Sequence, residues 1–486
     1  METNLKILVL GAGLAGIGAA TKLLSLGFKD VTIIEASGLA GGRIAKECLG
    51  KSWVDTGAQY IHGASEANPV FCLMRQHGLL GDVVTEEGTD LVFHSKGRRI
   101  SGDLAGRVYE AGEGIIRQPH KGNPGKNIGD YYAEKSLDLA KSWKSSSEDK
   151  DDVLSILSLV GKSLMIDIGA PALSSVSLDS WQYYTNMGED LDIGGKMFNV
   201  TEKLLVDFPK ERLLLNRPVI KINWNGSFCG DAGRLYPVCI ECENGEKFLC
   251  DHVVVTISLG CLKAAPTTMF NPQLPEDKRE ALDKLGFGCV NKIILQYEEA
   301  FWERDAGSIS LLWEDETPAS LSTDATQWQK NIQLFTVMRP REKFGNVLIG
   351  WCSGNVAQHV ETMTEAELSA AITSNFRKFM GNPNIPCPKT VLCTKWHGKA
   401  FIRGAYAYIP VGVDGVIMDT LARPLSSMKS STEDLQVLFA GEATMKNLYG
   451  TVQGALLSGH READRISQHY GRTAPSSTPC SSSAAT

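Results

Sequence analysis

Leu5-Lys6-Ile7-Leu8-Val9-Leu10-Gly11-Ala12-Gly13-Leu14-Ala15-Gly16 decides how the rest of the chain is read. The run from Leu5 to Leu10 holds no turn former and predicts a parallel strand covered on both faces. The residues after it spell G-x-G-x-x-G. Gly11 serves a tight turn, Gly13 lets backbone approach a pyrophosphate, and Gly16 lets helix pack on strand. Apolar residues recur at helical spacing from Leu14 to Leu26, and Gly27 ends the helix. Val31-Thr32-Ile33-Ile34 is then a second buried strand running into Glu35, which stands where a dinucleotide's ribose hydroxyls need an acceptor. A glycine fingerprint alone is weak. Strand, turn, helix, strand and acid in that order make a dinucleotide site with phosphate on the helix N-terminus, and this unit leaves NAD and FAD open.

At 486 residues the chain exceeds one compact core and predicts two interleaved domains. The 49 Lys and Arg against 56 Asp and Glu leave a formal charge of −7, which argues against nucleic acid and is compatible with a cationic substrate. Met1 to Asn4 lead straight into the first strand without the basic and apolar segments of a secretory signal. The longest apolar candidate, Leu154 to Leu178, is broken by Lys162, Asp167 and Pro171, so no membrane span is expected. Twelve cysteines lack framework spacing, and the lone Cys239-Ile-Glu-Cys242 falls in an expected hairpin over 236–249. Free thiols, no metal site and a cytoplasmic location follow; the C-terminus carries no SKL-type peroxisomal signal.

Gly41-Gly42-Arg43 follows the second strand. It resembles the second glycine-arginine motif of FAD-dependent amine oxidases, in which Gly42 and Arg43 would meet the pyrophosphate. Leu39 stands near the place where that family usually carries a further arginine. Trp53-Val54-Asp55-Thr56-Gly57-Ala58-Gln59-Tyr60-Ile61-His62-Gly63 resembles the polyamine oxidase segment that passes beside the flavin. The resemblance puts Gly57 and Ala58 against the cofactor and His62 in the substrate tunnel, where the residue alone would read as a structural histidine. It also implies Ala15 at the phosphates, Val219 against the adenine, and the Val253 to Gly260 strand and turn beside them. Lys292 heads the otherwise apolar run Ile293-Ile294-Leu295, and burial of a lysine there lowers its pKa. In this family such a lysine holds a water at flavin N5. The stretch from Trp396 to Tyr408 resembles the one that lays Trp396 and an aromatic, Tyr406, along the isoalloxazine. Ala405 stands where covalent relatives have cysteine, so the flavin is expected to be noncovalent. Gly441-Glu442 and the helix starting at Thr451-Val452 would complete the cofactor site, with that helix N-terminus at flavin N1 and O2. Tyr406 and Thr451 would flank the substrate face, with Tyr60 and Tyr449 as supplementary walls.

The resemblance covers Leu5 to roughly Tyr470 and is closest to the spermine and N1-acetylpolyamine oxidases. It implies an α/β chain with a Rossmann-like FAD domain over 1–67, 210–275 and 425–470. A substrate domain of mixed sheet and helices would take 68–209 and 276–424, and a disordered tail 471–486. The block from Asn68 to Pro209 reads as mostly helical, with a weakly structured charged patch at Ser145 to Asp152. The implied reaction is FAD-dependent polyamine oxidation by hydride transfer to flavin N5, with O2 reduced to H2O2 and the imine hydrolysed to amine and aldehyde. A monomer is expected. The alternatives are another FAD amine or amino-acid oxidase, or a catalytically silent flavin-binding protein.

Overall fold

The computed structural model describes residues 5–471 except 51, 81–87, 118–124, 144–146, 322 and 429–433. The expected tail beyond 471 lies outside the described residues. Lys6–Leu10 and Asp30–Ile34 run parallel, pairing Lys6 with Asp30 through to Leu10 with Ile34, and the helix Leu14–Ser25 joins them. His252–Val255 pairs on the other side of Lys6–Leu10, followed by Leu435–Phe439 and an antiparallel edge, Leu425–Ser426; Leu213–Leu214 closes the opposite edge. The first strand is covered on both faces as its composition demands. Ile7 and Val9 enter one apolar cluster, and Leu8 and Leu10 enter another.

The first cluster lies under two packed helices, Leu14–Ser25 and Val452–His469. Gly459 makes their close crossing possible: a Cβ there would run into the Ala15 carbonyl oxygen and stand 2.9 Å from the Ala19 nitrogen. The Cys239-Cys242 stretch lies in the antiparallel hairpin Val238–Cys242 with Lys247–Cys250. Among the described residues no cysteine is in a disulfide and no group of ligand side chains could hold a metal.

A second, mixed sheet of seven strands carries the other half of the site. In order it runs Thr390–Cys393, Val290–Tyr297, Asn346–Ser353, Phe335–Val337, Ala306–Leu312, Thr89–His94 and Arg98–Arg99. One expectation is refined here and one corrected. The block 68–209 is mostly helical as expected, but Thr89–His94 within it pairs parallel to Ala306–Leu312 and joins the sheet. Its alternation is interrupted by Asp90 and His94, which conceal the strand in the sequence. Most of the charged patch at 145–152 opens a helix, Ser147–Ile168, whose apolar later turns carry it into the core.

The packing map makes two opposite predictions, read by thermal or denaturant melts. Gly459→Ala should cost about 1–3 kcal/mol by forcing the two helices apart. Gly106→Ala, in the helix Gly102–Ile116 where an added Cβ meets nothing within 4 Å, should stabilise by about 0.5–1 kcal/mol. Equal shifts in both variants would refute the crossing as drawn.

Candidate active site

One cavity of about 1020 Å³ runs from the glycine turn to the second sheet. At its first end stand Gly11, Gly13, Ala15 and Glu35, with Gly42 and Arg43 opposite and Val219 beside them. Gly11 holds φ +111°, which a residue with a Cβ rarely adopts. The two glycine turns are zipped together, with Gly13 bridging Gly41 and the Gly41 N–H donating to the Ala12 carbonyl at 2.8 Å. Gly16 is not on the cavity wall. A Cβ there would strike the Gly11 carbonyl oxygen, so its role is helix-on-strand approach. The helix that starts at Leu14 has no side-chain cap and no acid in its first turn, which leaves N–H groups for an anion. Glu35 Oε2 accepts from the Ala12 N–H at 2.7 Å and Oε1 from the Ser37 N–H at 2.8 Å, so the acid stiffens the turn as well as facing the cavity. Arg43 is half-buried, gives one nitrogen to Glu442 Oε1 at 2.9 Å and lies over the Phe287 ring. The Glu442 carboxylate also accepts from the Gly450 N–H at 2.8 Å.

Lys292 and Trp396 close the other end. The Lys292 strand is buried on both faces, and its ammonium donates to the Asp55 carbonyl at 2.8 Å and Gln59 Oε1 at 2.9 Å. A third N–H remains on a side chain that lines the cavity, 4.6 Å above the centre of the Trp351 ring. Burial brings the Lys292 pKa down to about 8 against the opposing pull of Asp55 and Asp192. The Asp55 carboxyl is pushed up to about 6 by burial, with Lys292 working in the other direction. The Trp396 indole donates to the Thr56 carbonyl at 3.2 Å. Gly57, Ala58, Tyr60, Tyr406 and Gly441 complete the walls.

Thr451 and Val452 also line this end, but the Thr451 hydroxyl caps its own helix, accepting from the Gly454 N–H at 3.0 Å and donating to the Leu448 carbonyl. It presents little to a ligand beyond its methyl group. Tyr449 is absent from the cavity wall; it packs edge-on against Tyr184 at 6.1 Å, and Gly450 takes its place beside Tyr406. The cavity's volume of about 1020 Å³ suits a dinucleotide. The glycine cradle, the uncapped helix, Arg43 and the orphaned buried hydroxyl of Thr56 on its wall all fit FAD.

His62 lies near a group of acids that the sequence did not single out. Its Nδ1 is 2.7 Å from Asp190 Oδ2, and Asp190 Oδ1 accepts from the Gly63 N–H at 3.1 Å. Burial disfavours the imidazolium, but the Asp190 hydrogen bond and charge, aided by Asp167, raise the His62 pKa. Asp167 is pushed up to about 6 by burial and by the charges of Asp190 and Glu113, with His62 opposing. Asp167 keeps accessible surface although protein surrounds it closely enough to disfavour its charge. The Tyr406 hydroxyl donates to the carbonyl of Ile166, next to Asp167. Histidine 62 and aspartates 167 and 190 come from three distant stretches, which is why no local motif reveals them.

The family described as flavin containing amine oxidoreductase matches residues 14–467. The chain is 36% identical to a human protein named peroxisomal N(1)-acetyl-spermine/spermidine oxidase, over 95% of this chain and 94% of that one. It is 27% identical to polyamine oxidase 1 of Oryza sativa subsp. japonica, over 96% and 97% respectively. A solved putrescine oxidase double mutant with redesigned cofactor binding superposes with a TM-score of 0.67 at 18% identity, covering 95% of this chain and 98% of its own, and so shares the fold.

Ala405 offers no sulfur, and Cys261, the one cysteine on the cavity wall, sits at the far end among the charges of Arg403, Arg43 and Glu35. Acid precipitation should therefore leave all the flavin absorbance in the supernatant. Yellow colour retained by the washed pellet would refute noncovalent binding.

Proposed function

The chain belongs to the flavin containing amine oxidoreductases, and we propose that within this family it oxidises polyamines: spermine, spermidine or their N-acetyl forms. It is an FAD-dependent enzyme. When bound, FAD supplies the two-electron acceptor for hydride and hands the electrons on to O2, giving H2O2. The observation that carries the polyamine reading is a cavity wall that holds Lys292, Trp396 and His62, with Asp190 bonded to His62 behind it and the charge of Asp167 acting on the same ring.

An amine that loses hydride from the adjacent carbon needs its nitrogen lone pair, so the reacting nitrogen must be neutral. The walls of Tyr60, Tyr406 and Trp396 favour that by excluding water. Lys292, with its third N–H, holds a water at the reacting face. A second nitrogen of the same substrate keeps its proton and meets the acids. His62 is not itself the acceptor for that cation, because Asp190 favours the imidazolium. The His62–Asp190 pair is then close to neutral, and Asp167 supplies the uncompensated negative charge. An amino acid's carboxylate would be repelled there, which disfavours the amino-acid oxidase alternative.

Among the described residues no helix is long and apolar enough to cross a membrane. The cysteines of the described residues are all free, which is compatible with a reducing compartment; the cytoplasm is our reading, and the name of the human relative makes the peroxisome its competitor. A monomer remains part of the proposal.

A peroxide-coupled screen of spermine, spermidine, their acetylated forms, benzylamine and several L-amino acids tests the substrate class. Preference for benzylamine or an amino acid would overturn it. Asp167→Asn should raise KM for spermine about tenfold or more, the loss of one charge-assisted contact, while kcat changes little. The wild-type kcat/KM should fall as pH drops through about 6, where Asp167 takes up its proton and ceases to attract the cation. The amine's own protonation lowers both enzymes alike, so the ratio of wild type to Asp167→Asn isolates this effect: it should shrink below that pH. A pH-independent ratio would remove Asp167 from substrate binding.

A further inference from the structure

Lys292 and Trp396 end on consecutive carbonyls, Asp55 and Thr56, and their placement is shared behind the cavity as well as in front of it. Asn291 is fully buried in the same strand as Lys292, and strand alternation sends its side chain to the opposite face. A buried amide is costly unless every bond is made, and here all four are. Asn291 Nδ2 donates to the Ala357 carbonyl at 2.8 Å and to Glu361 Oε1 at 2.7 Å. Asn291 Oδ1 accepts from the Thr394 hydroxyl at 2.8 Å and from the Trp396 N–H at 3.2 Å.

The Thr394 hydroxyl in turn accepts from the Lys292 N–H at 2.8 Å, continuing the ladder one residue past the end of the strand Thr390–Cys393. Glu361 fastens the turn after Trp396, with Oε1 accepting from the His397 N–H at 2.8 Å and Oε2 from the Gly398 N–H at 2.7 Å. The backbone of Lys292 and that of Trp396 are therefore bolted to one amide and one carboxylate that never reach the cavity.

We infer that Asn291 and Glu361 are positioning residues for amine oxidation, setting the distance between the Lys292 ammonium and the Trp396 indole through Thr394 and the 396–398 turn. This rests on the reading of Lys292 given above. A merely structural network would lower stability without speaking to Lys292. A positioning network must lose its effect when Lys292 is already gone.

The test is a cycle on FAD-loaded enzyme, with both half-reactions followed by stopped flow. Lys292→Met, Glu361→Gln and Asn291→Ala are compared with the doubles made on Lys292→Met. Glu361→Gln is the milder variant, since Glu361 is only half-buried and Gln keeps one acceptor while turning its NH2 toward the Gly398 N–H. Each single variant should slow the same half-reaction that Lys292→Met slows, on the order of tenfold to a hundredfold for a misplaced group. Each double should be no slower than Lys292→Met alone. Independently of turnover, Asn291→Ala and Glu361→Gln should change the absorbance and the residual fluorescence of bound flavin as Trp396 moves, and Lys292→Met should not reproduce that change. If Lys292→Met is slow but the doubles multiply its loss, or if Glu361→Gln leaves both rates and spectrum at wild type, the inference fails while the function of Lys292 stands. If Lys292→Met itself reacts at the wild-type rate, both fall together.

Discussion

An ammonium group buried in an apolar strand has to be met by oxygen atoms, and much of this molecule is arranged so that Lys292 is met. The strand belongs to the seven-stranded sheet, whereas the oxygens of Asp55 and Gln59 belong to the segment that follows the glycine-arginine turn. Satisfying one side chain therefore docks one sheet against the extension of the other. The chain of bonds goes further: Gln59 Nε2 donates to Asp192 Oδ2 at 2.8 Å, and Asp192 Oδ1 accepts from the Gly194 N–H. Asp192 also pairs across a short ladder with Tyr60. Asp190, two residues earlier, is thereby carried to His62. Removing the lysine's partners would strand a charge costing several kcal/mol, so the register of these segments is strongly enforced.

A second clasp secures the cofactor side of the same boundary. Ser258, in the turn after a strand of the six-stranded sheet, donates to the Ile402 carbonyl at 2.6 Å, and the Gly260 backbone lies so close to Arg403 that a Cβ would stand 2.8 Å from its carbonyl oxygen. Glu442 joins in from the third stretch, accepting from Arg43 and from the Gly450 N–H. Polar groups paired across the boundary shape the cavity between them, and the charges near its two ends differ in sign. Helix N–H groups and Arg43 gather where phosphates belong, and aspartates gather around His62. The formal charge of −7 for the whole chain has little part in this, because what matters is which charges face the cavity.

What the sequence made legible was local. The turn at Gly11, the helix from Leu14, the acid at 35 and the lysine at the head of an apolar strand each show themselves within a few residues, and the structure puts all of them at one cavity, save Gly16 behind it. What it hid was either long-range or ambiguous in kind. Thr89–His94 is a strand because Ala306–Leu312 offers it an edge more than two hundred residues later. Thr451 read as a cage wall, but a hydroxyl before a helix has a better bond to make with the Gly454 N–H than with a substrate. Asp167 looked like an interruption in an apolar helix. Its isolation there was in fact a signal, since a carboxylate in the last turn of a buried helix, where the dipole disfavours it, needs a reason to remain.

That reason is electrostatic and can be followed through. Burial, aided by the charges of Asp190 and Glu113 and opposed by His62, pushes Asp167 up and makes its carboxylate unfavourable while no cation is near it. An entering ammonium cancels that charge and recovers the desolvation already suffered by the carboxylate. In the proposed reading, the carboxylate of Asp167 selects the substrate more than the shape of the aromatic walls does. A substrate with a single nitrogen, neutral when it reacts, brings nothing to offset that carboxylate; an α-amino acid brings another that it repels. A molecule with a neutral amine at one place and a protonated one farther along its chain satisfies both ends at once, and flexible chains of differing length can do so as long as one charged nitrogen reaches Asp167.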